Sequence, residues 1–475
     1  MGVIGNVSIV NKKNTVTIAI VAVILIFSFV PWMFYTNLPV LSIIIGIVAV
    51  WMAYNKKIGY SFIFIALSFT IPYSPSLEKD IIADYIWWPI NAIRESIFLI
   101  FILYYVIRKM YAKLITKHLL IILSSLLILS FLYSIYNNSN FLELINWINT
   151  AFYFILFYFI TYNDQSSLKD FLLLLDILFI CTSIYTIIEF IFQISPYQSL
   201  YSQYITFGIE DEIGRAKGLL GHPLVLSSLV IIYQVTLYIR LMLFKEFKAL
   251  LFALTLVIGV FTTSRTTVVI MAFSFIYYFI AAGIYKNPKK IIVIIFIITI
   301  TIFAALNSLQ YYINNNLNRI ETSSSEHRMA GYTSVANFSA DHILGVGYTD
   351  LTKKIKVEGY ASKGLIDGFG TLDNFFLTQI AAYGIFSIIV FAFYFYLFFK
   401  SYHYRKKNKM LFRSAFMLFL TWCLIGLSFN LESYLCLLLL FSGLYAKLNK
   451  QYLIEKIEHK ESLLKNNNYA INHYC

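Results

Sequence analysis

The chain has 475 residues, of which 59% are hydrophobic, 18% aromatic and only 13% charged, and its mean hydropathy is +0.73. A soluble globular protein carries about 25% charged residues, and runs long enough to cross a hydrocarbon core about 30 Å thick recur here. The net charge of +13 lies in short loops between apolar runs, which does not indicate nucleic acid as a partner. These features exclude a soluble protein and predict an all-α integral membrane protein embedded in a lipid bilayer.

The apolar runs predict about 14 transmembrane helices, within a range of 11–14. The first run follows two lysines and carries bulky residues where a signal-peptide cleavage site would stand, so it is predicted to remain as a span. The predicted helices lie at about 16–34, 39–54, 58–72, 90–107, 118–136, 143–160, 169–193, 223–243, 249–264, 266–285, 290–309, 374–399, 411–429 and 432–446.

The basic residues predict the orientation of these spans. If the N-terminus is cytoplasmic, each inside segment carries lysine or arginine, as the positive-inside rule requires, and both termini are cytoplasmic. The predicted organisation is a cytoplasmic N-terminus at 1–15, a polytopic transmembrane domain at 16–446 and a cytoplasmic C-terminal tail at 447–475. An outer loop covers 194–222, and a large extracytoplasmic loop covers 310–373. Loops of that length are usually functional or disordered, and the larger one is expected to carry short helices, including one around 326–340.

The cysteines and the standard motifs point away from metal and cofactor chemistry. Three of the four cysteines lie inside apolar runs and the fourth ends the chain, so neither a disulfide framework nor a zinc site is predicted. The sequence has no Walker A loop, no dinucleotide-binding glycine motif, no nucleophile elbow and no HExxH. We therefore predict neither a metal nor a cofactor.

Three polar clusters stand where predicted helices begin at the outer face. They are Arg215 to Pro223, Thr262 to Thr267 and Leu372 to Phe375. Helix N-termini favour anions because their backbone N–H groups are free and the helix dipole is positive there. Arg215, Lys217 and Arg265 beside such N-termini predict a bound phosphate or diphosphate, which arginine grips in a bidentate manner.

Simpler interpretations of these residues stay open at this point. Arg265 is also placed to reach the outer lipid headgroups, and Gly218 and Gly221 also suit a turn before a helix. Asp373 or Asn374 is also an ordinary N-cap.

Other polar residues also have two interpretations. His222 fits an interfacial residue as well as a site residue. Asp176 and Glu189 are costly within a membrane and are expected to face the bundle interior, either lining a cavity or pairing with an inner arginine.

The order of the motifs resembles the bacterial O-antigen ligase and polymerase superfamily, which includes the Wzy-type polysaccharide polymerases. The resemblance covers roughly 205–400. The matching segments are Arg215 to Pro223, Ser264-Arg265, Arg328 in Glu-His-Arg-Met-Ala-Gly-Tyr, Gly345 and Gly347 in Leu-Gly-Val-Gly-Tyr, Asp373-Asn374, and Gly384.

The resemblance implies that the protein polymerises undecaprenyl-diphosphate-linked oligosaccharide repeat units into O-antigen or capsule by metal-independent, inverting glycosyl transfer. It also implies the outer face of the bacterial cytoplasmic (inner) membrane as the place of reaction, and a flippase and a chain-length regulator as partners. The residues that it implies are catalytic are Arg215, Arg265, Arg328 and Asp373. Those that it implies bind substrate are Lys217, Gly218, Gly221, His222, His327, Gly345, Gly347 and Asn374.

Two other functions are compatible with the sequence. The first is a glycan ligase, whose family pattern has a histidine just before the asparagine, where this chain has Asp373; that difference favours a polymerase. It also leaves the catalytic base open between Asp373, His327 and His222. The second is a lipid-linked oligosaccharide flippase, in which ionisable residues would be spread through a central cavity rather than gathered at outer helix ends.

Overall fold

The computed structural model describes ten helices from residue 168 onward, together with some of their connections, and no strand within the described residues. The described residues are 157–158, 161–162, 167–192, 216, 218, 223–262, 264–281, 283–289, 291–292, 295–296, 299, 324–346, 351–360, 374–402, 405, 408–428 and 435–472. The first five predicted spans lie outside these residues, as do most of 143–160, 290–309 and the outer loop 194–222. The N-terminus at 1–15 lies outside them as well.

The helices follow one another through short connections and two 3₁₀ turns, Ile284–Lys286 and Gly384–Phe386. In chain order they are α1 (Leu168–Phe192), α2 (Pro223–Phe244), α3 (Ala249–Phe261), α4 (Arg265–Ala281), α5 (Ser324–Asp341), α6 (Leu351–Val357), α7 (Phe375–Tyr383), α8 (Ser387–Tyr402), α9 (Lys409–Ser428) and α10 (Leu435–Asn472).

Three of these helices are long and apolar enough to cross a membrane, namely α1, α2 and α9. Two shorter apolar stretches, Ala249–Phe261 and Phe375–Phe386, accompany them. This confirms a helical membrane protein, whereas the count of fourteen spans stays a prediction. The helix predicted around 326–340 is confirmed as α5, so the large loop does carry short helices.

The helix predicted over 374–399 is wrong in one respect, because it is broken into two. The chain bends at Gly384, whose φ of +51° suits glycine, and a 3₁₀ turn separates α7 from α8. The predicted helix 266–285 likewise ends earlier, at Ala281, before a turn at Gly283 with φ +63°.

The last predicted helix, 432–446, also differs, because α10 continues to Asn472. Residues 447–472 of the expected tail are therefore helical. Their lysine, glutamate and leucine residues are good helix formers, so the helix persists where the apolar run stops. At 1.5 Å per residue its 38 residues extend about 57 Å, well beyond a hydrocarbon core of about 30 Å.

Helix α2 is the centre of the bundle. Nearly all of its residues are buried, and it packs against α1, α3, α4, α9 and α10. Helix α1 runs antiparallel to it, because Glu189 near the end of α1 bonds to Gly218 just before α2, whereas Asp176 bonds to Arg240 near the end of α2.

The antiparallel packing gives the bundle two distinct ends. One end, here called the motif end, gathers the N-termini of α2, α4 and α7 with the C-termini of α1, α3 and α9. The other, here called the basic end, holds the connection between α8 and α9 together with the C-termini of α2 and α4. The three polar clusters of the sequence all belong to the motif end.

Candidate active site at the motif end

The segment before α2 is fixed to two other helices through its backbone. The N–H of Ala216 donates to the carbonyl of Phe261 at 3.0 Å, and the N–H of Gly218 donates to Oε2 of Glu189 at 2.7 Å. Ala216 is itself buried. Arg215 precedes Ala216, and Lys217 lies between the two anchored residues in the sequence. The positions of Arg215, Lys217, Gly221 and His222 themselves lie outside the described residues.

Gly218 occupies a position that only glycine fits well. Its φ is +59°, and a Cβ there would approach Oγ1 of Thr186 to 2.8 Å. The described contacts therefore support the turn interpretation of Gly218. They also explain the buried carboxylate of Glu189, which accepts a backbone hydrogen bond at the end of α1. A role for Gly218 in substrate binding stays a prediction.

The second cluster begins α4 as the sequence predicts. Ser264 is buried, and its Oγ accepts a long hydrogen bond, 3.4 Å, from the N–H of Thr267. Arg265 is the first residue of α4 and follows Phe261, the last residue of α3, by four positions. Since the Phe261 carbonyl binds Ala216, the segments that carry Arg215 and Arg265 meet at one backbone hydrogen bond.

The third cluster is organised by the side-chain amide of Asn374. Its Oδ1 accepts from the N–H of Leu377 at 3.1 Å, which makes Asn374 the N-cap of α7. Its Nδ2 donates to the hydroxyl of Tyr332 in α5 and to the carbonyl of Leu427 in α9, each at 2.9 Å. One buried amide therefore joins the large loop, α7 and the C-terminal turn of α9, directly beside Asp373 in the sequence.

Helix α5 carries two further candidate residues into this arrangement. Arg328 precedes Tyr332 by four residues, so the two positions lie on the same side of α5, one turn apart. His327 is the adjacent position. The hydrogen bond from Asn374 to Tyr332 therefore fixes the part of α5 that carries Arg328 next to the N-terminus of α7.

A close contact between two backbones holds the rest of the large loop. Gly345 (φ +79°) and Gly384 (φ +51°) approach each other so closely that a Cβ on either would overlap backbone atoms of the other segment. The N–H of Ile385 donates to the carbonyl of Ile343 at 2.8 Å across the same contact. The contacts of Gly345 are thus structural, its predicted role in substrate binding remains untested, and Gly347 lies outside the described residues.

Helices α5, α6 and α7 share a small apolar core separate from the main bundle. Its buried members are Val335, Phe338, Leu351, Ile355, Ala381, Ala382 and Tyr383.

Two polar contacts connect the ends of α5 and α6. Nε2 of His342 lies 2.6 Å from Oε2 of Glu358, and the hydroxyl of Tyr360 donates to Asp341. The bond to Asp341 raises the pKa of Tyr360, because the neutral phenol is the donor. The loop helices thus form a unit that rests on α7.

Asp176 belongs to a different site, nearer the basic end. Its Oδ2 lies 2.6 Å from Nη2 of Arg240, and its Oδ1 accepts from the hydroxyl of Tyr233 at 2.6 Å. Of the two interpretations of Asp176 in the sequence, pairing with an inner arginine is confirmed.

Two contacts at the motif end were not predicted from the sequence. The bond between Glu189 and Gly218 is one, and the involvement of Tyr332 is the other. An acidic residue inside a predicted span was the available signal for the first. For the second, the signal was the four-residue spacing from Arg328.

The fold defines a helical membrane protein with helix N-termini gathered at one end and a small helical loop unit resting on them. Residues 250–392 match the Wzy_C family model, described as O-antigen ligase. This match, which runs from α3 into α8, confirms the resemblance to the O-antigen ligase/polymerase superfamily. Members of the family are membrane enzymes of the glycosyltransferase type. Comparison with curated proteins found no match.

Proposed function

We propose that the protein joins undecaprenyl-diphosphate-linked oligosaccharide repeat units into a surface polysaccharide, at the outer face of the bacterial inner membrane. The observation that supports this most directly is the Asn374 amide, which joins α5, α7 and α9 at the motif end. Arg328 of α5 lies one turn before Tyr332, whose hydroxyl binds Asn374. Asp373, which lies outside the described residues, directly precedes Asn374 in the sequence. With both termini cytoplasmic, as proposed, the motif end faces outward.

The chemistry of the proposed reaction explains the choice of residues. The hydroxyl oxygen of the acceptor unit bonds to the anomeric carbon of the donor on the face opposite the diphosphate. The bond from that carbon to the diphosphate oxygen breaks, and undecaprenyl diphosphate leaves. Arg215, Arg265 and Arg328 stabilise the charge on the leaving diphosphate, and the N-termini of α2 and α4 add to this. The hydroxyl proton passes to a base, for which Asp373, His327 and His222 are the candidates.

A glycan ligase is the second candidate, and the description of the matching family favours it. A ligase transfers a finished polymer to a different acceptor, and its family pattern has a histidine where this chain has Asp373. We give preference to the polymerase on that residue. A flippase and a chain-length regulator are the partners that the proposal implies.

The glycan size profile of cells that lack the gene tests the proposal. We expect long chains to vanish while single repeat units remain, and we expect wild-type protein to restore the ladder of sizes. Complementation with Arg328→Ala should lower chain formation at least tenfold at equal protein level, because charge-assisted hydrogen bonds contribute about 1.5–3 kcal/mol each. Lys356→Ala is the matched control, since it removes an exposed positive charge from the same loop.

Two outcomes in the deletion strain would identify another function, and one outcome in the complemented strain would contradict the role of Arg328. Long chains that persist on the carrier lipid in the deletion strain would identify a ligase. Loss of both single units and chains from the outer face would identify a flippase. A full ladder from the Arg328→Ala complement would remove that residue from the proposed site.

A further inference from the structure

A pocket opens at the basic end of the bundle, away from the motif end. Its volume is about 410 Å³, within the range of roughly 300–1,000 Å³ that is usual for small-molecule sites. It lies where α8 ends and α9 begins, against the last turns of α4. The lining residues are Tyr277, Arg405, Lys409, Phe412, Arg413 and Phe416.

The charged side chains among the described residues that line this pocket are all positive. Arg405, Lys409 and Arg413 contribute three cations, and none of the described lining residues is a carboxylate. None of the three forms an ion pair within the part of the chain that the structure describes. Arg405 donates to the hydroxyl of Tyr402 at 3.2 Å, a neutral partner. Glu455 of α10 binds the amide of Asn408 instead, at 2.6 Å.

The placement of the three cations is electrostatically unfavourable when no anion is bound. Lys409 and Arg413 stand four residues apart in the first turns of α9, so two like charges are neighbours on one helix face. Both also oppose the positive N-terminal end of the helix dipole. The backbone N–H groups of Met410 and Leu411 already bind Oδ1 of Asn408, which leaves the side chains to hold any ligand. A bound anion would offset both the repulsion between the like charges and their unfavourable interaction with the helix dipole.

The other wall of the pocket is aromatic. Phe412 and Phe416 stack at 6.1 Å between ring centroids, and Tyr277 of α4 lies 6.5 Å from Phe416. Lys409 begins α9, a helix long and apolar enough to cross a membrane, Phe412 is adjacent to Arg413 in the sequence, and Phe416 lies about one turn farther along the helix than Phe412. Cations at the start of α9 beside an aromatic surface that continues one turn farther along the helix match a lipid with a charged headgroup better than a free ion.

We infer that this basic pocket binds the phosphate group of an anionic membrane lipid, with the lipid chains lying along Tyr277, Phe412 and Phe416. The site is separate from the proposed active site and does not depend on the proposed function. Basic pockets between transmembrane helices are a recognised means of binding lipid headgroups. Arginine contributes bidentate hydrogen bonds to the phosphate oxygens, and the exposed Lys409 contributes a mobile positive charge.

Binding to the purified full-length protein tests the inference. The probes are phosphatidylglycerol, phosphatidylcholine and inorganic phosphate, and the readouts are lipid occupancy by native mass spectrometry and the thermal unfolding midpoint. We expect phosphatidylglycerol to bind and raise the midpoint, and the other two to have little effect. The triple variant Arg405→Gln/Lys409→Gln/Arg413→Gln should bind it about a hundredfold more weakly.

A second triple variant, Lys286→Gln/Lys289→Gln/Lys456→Gln, is the matched control. It removes three exposed charges elsewhere on the protein, and it should keep affinity within about twofold of wild type. An equal loss in both triple variants would mean diffuse attraction and would overturn the inference. An equal response to inorganic phosphate would replace the lipid with a soluble anion. If the pocket triple variant does not fold, Arg405→Gln and Arg413→Gln alone should each weaken binding severalfold, and unchanged binding in both would overturn the site.

Discussion

Asn374 shows how much organisation one side chain can supply. Its amide uses both N–H donors and its oxygen, and each bond reaches a different helix. The N-cap alone contributes about 1 kcal/mol to a helix. The two donated bonds matter more for geometry, because they hold Tyr332 of α5 and the last turn of α9 against the start of α7. A residue that looks like a simple cap in the sequence is therefore a positioning residue for the proposed site.

Tyr332→Phe tests this positioning role. The substitution keeps the ring but removes the oxygen that accepts from Asn374, at a net cost of about 1 kcal/mol. We expect about fivefold less polysaccharide at an unchanged protein level, because α5 and Arg328 are held less firmly. The measurement is the glycan ladder beside a membrane immunoblot. Tyr285→Phe, an exposed tyrosine near the basic end, is the control, and equal output from both variants would contradict the role.

At the scale of elements, a backbone contact attaches the loop helices to the end of α7, in addition to their side-chain contacts. Gly345 and Gly384 meet where α7 ends, and Ile343 and Ile385 bond across them. A 3₁₀ turn begins at Gly384, so the segment of the large loop around Gly345 contacts the same bend that separates α7 from α8. The break in the predicted helix is thus the place where the loop attaches.

A glycine series separates backbone conformation from close approach. Gly331→Ala, in α5 with open space around it, should be neutral or stabilise by about 0.5–1 kcal/mol. Gly359→Ala, at φ +81° with open space, should cost about 1–2 kcal/mol. Gly345→Ala combines positive φ with overlap against Ala382 and should cost clearly more. Thermal unfolding and limited proteolysis of residues 324–360 measure the order, and equal effects at Gly345 and Gly359 would contradict the close contact.

At the scale of the whole molecule, α2 is the element on which the bundle is built. It is buried along almost its full length, and its one charged side chain, Arg240, pairs with Asp176 of α1 and with Glu246 beyond its own end. The pair is almost fully buried, with Arg240 4% and Asp176 5% exposed. A buried pair of this kind fixes the register between two helices more than it adds stability.

A double-mutant cycle on Asp176 and Arg240 measures this directly. Arg240→Met should cost about 3 kcal/mol or more, since it leaves a buried carboxylate with Tyr233 alone. Asp176→Leu should cost less, because Arg240 keeps Glu246 at 3.2 Å. The double variant should lie closer to wild type than Arg240→Met. The thermal unfolding midpoint in detergent gives the values, and simple additivity of the two single effects would show that the pair is not coupled.

The exposed pair nearby supplies a control for the cycle. Lys169 lies 3.8 Å from Glu246 and is 59% exposed in its side chain. Lys169→Met should change stability by less than about 0.5 kcal/mol, because exposed ion pairs are screened by water. A large effect would point to a role for Lys169 beyond this pair.

The sequence by itself determined the membrane class, the bounds of several helices and the resemblance to the superfamily. Apolar run length and composition are local properties, so α1, α2, α3 and α9 begin and end within a few residues of their predicted bounds. Motif order along the chain was likewise enough to indicate the superfamily that residues 250–392 confirm. The start of α4 at Arg265 lies within the cluster Thr262 to Thr267, where the sequence predicted a helix start.

Only the tertiary structure decided how the motifs are joined. The bonds from Glu189 to Gly218, from Ala216 to Phe261 and from Asn374 to Tyr332 connect residues 29 to 45 positions apart, and no local pattern specifies such partners. The bend at Gly384 follows the same rule, because its backbone conformation is stabilised by Ile343 and Gly345 of the large loop. The free energy of a membrane span depends on its own residues, whereas the geometry of the site depends on contacts between distant ones.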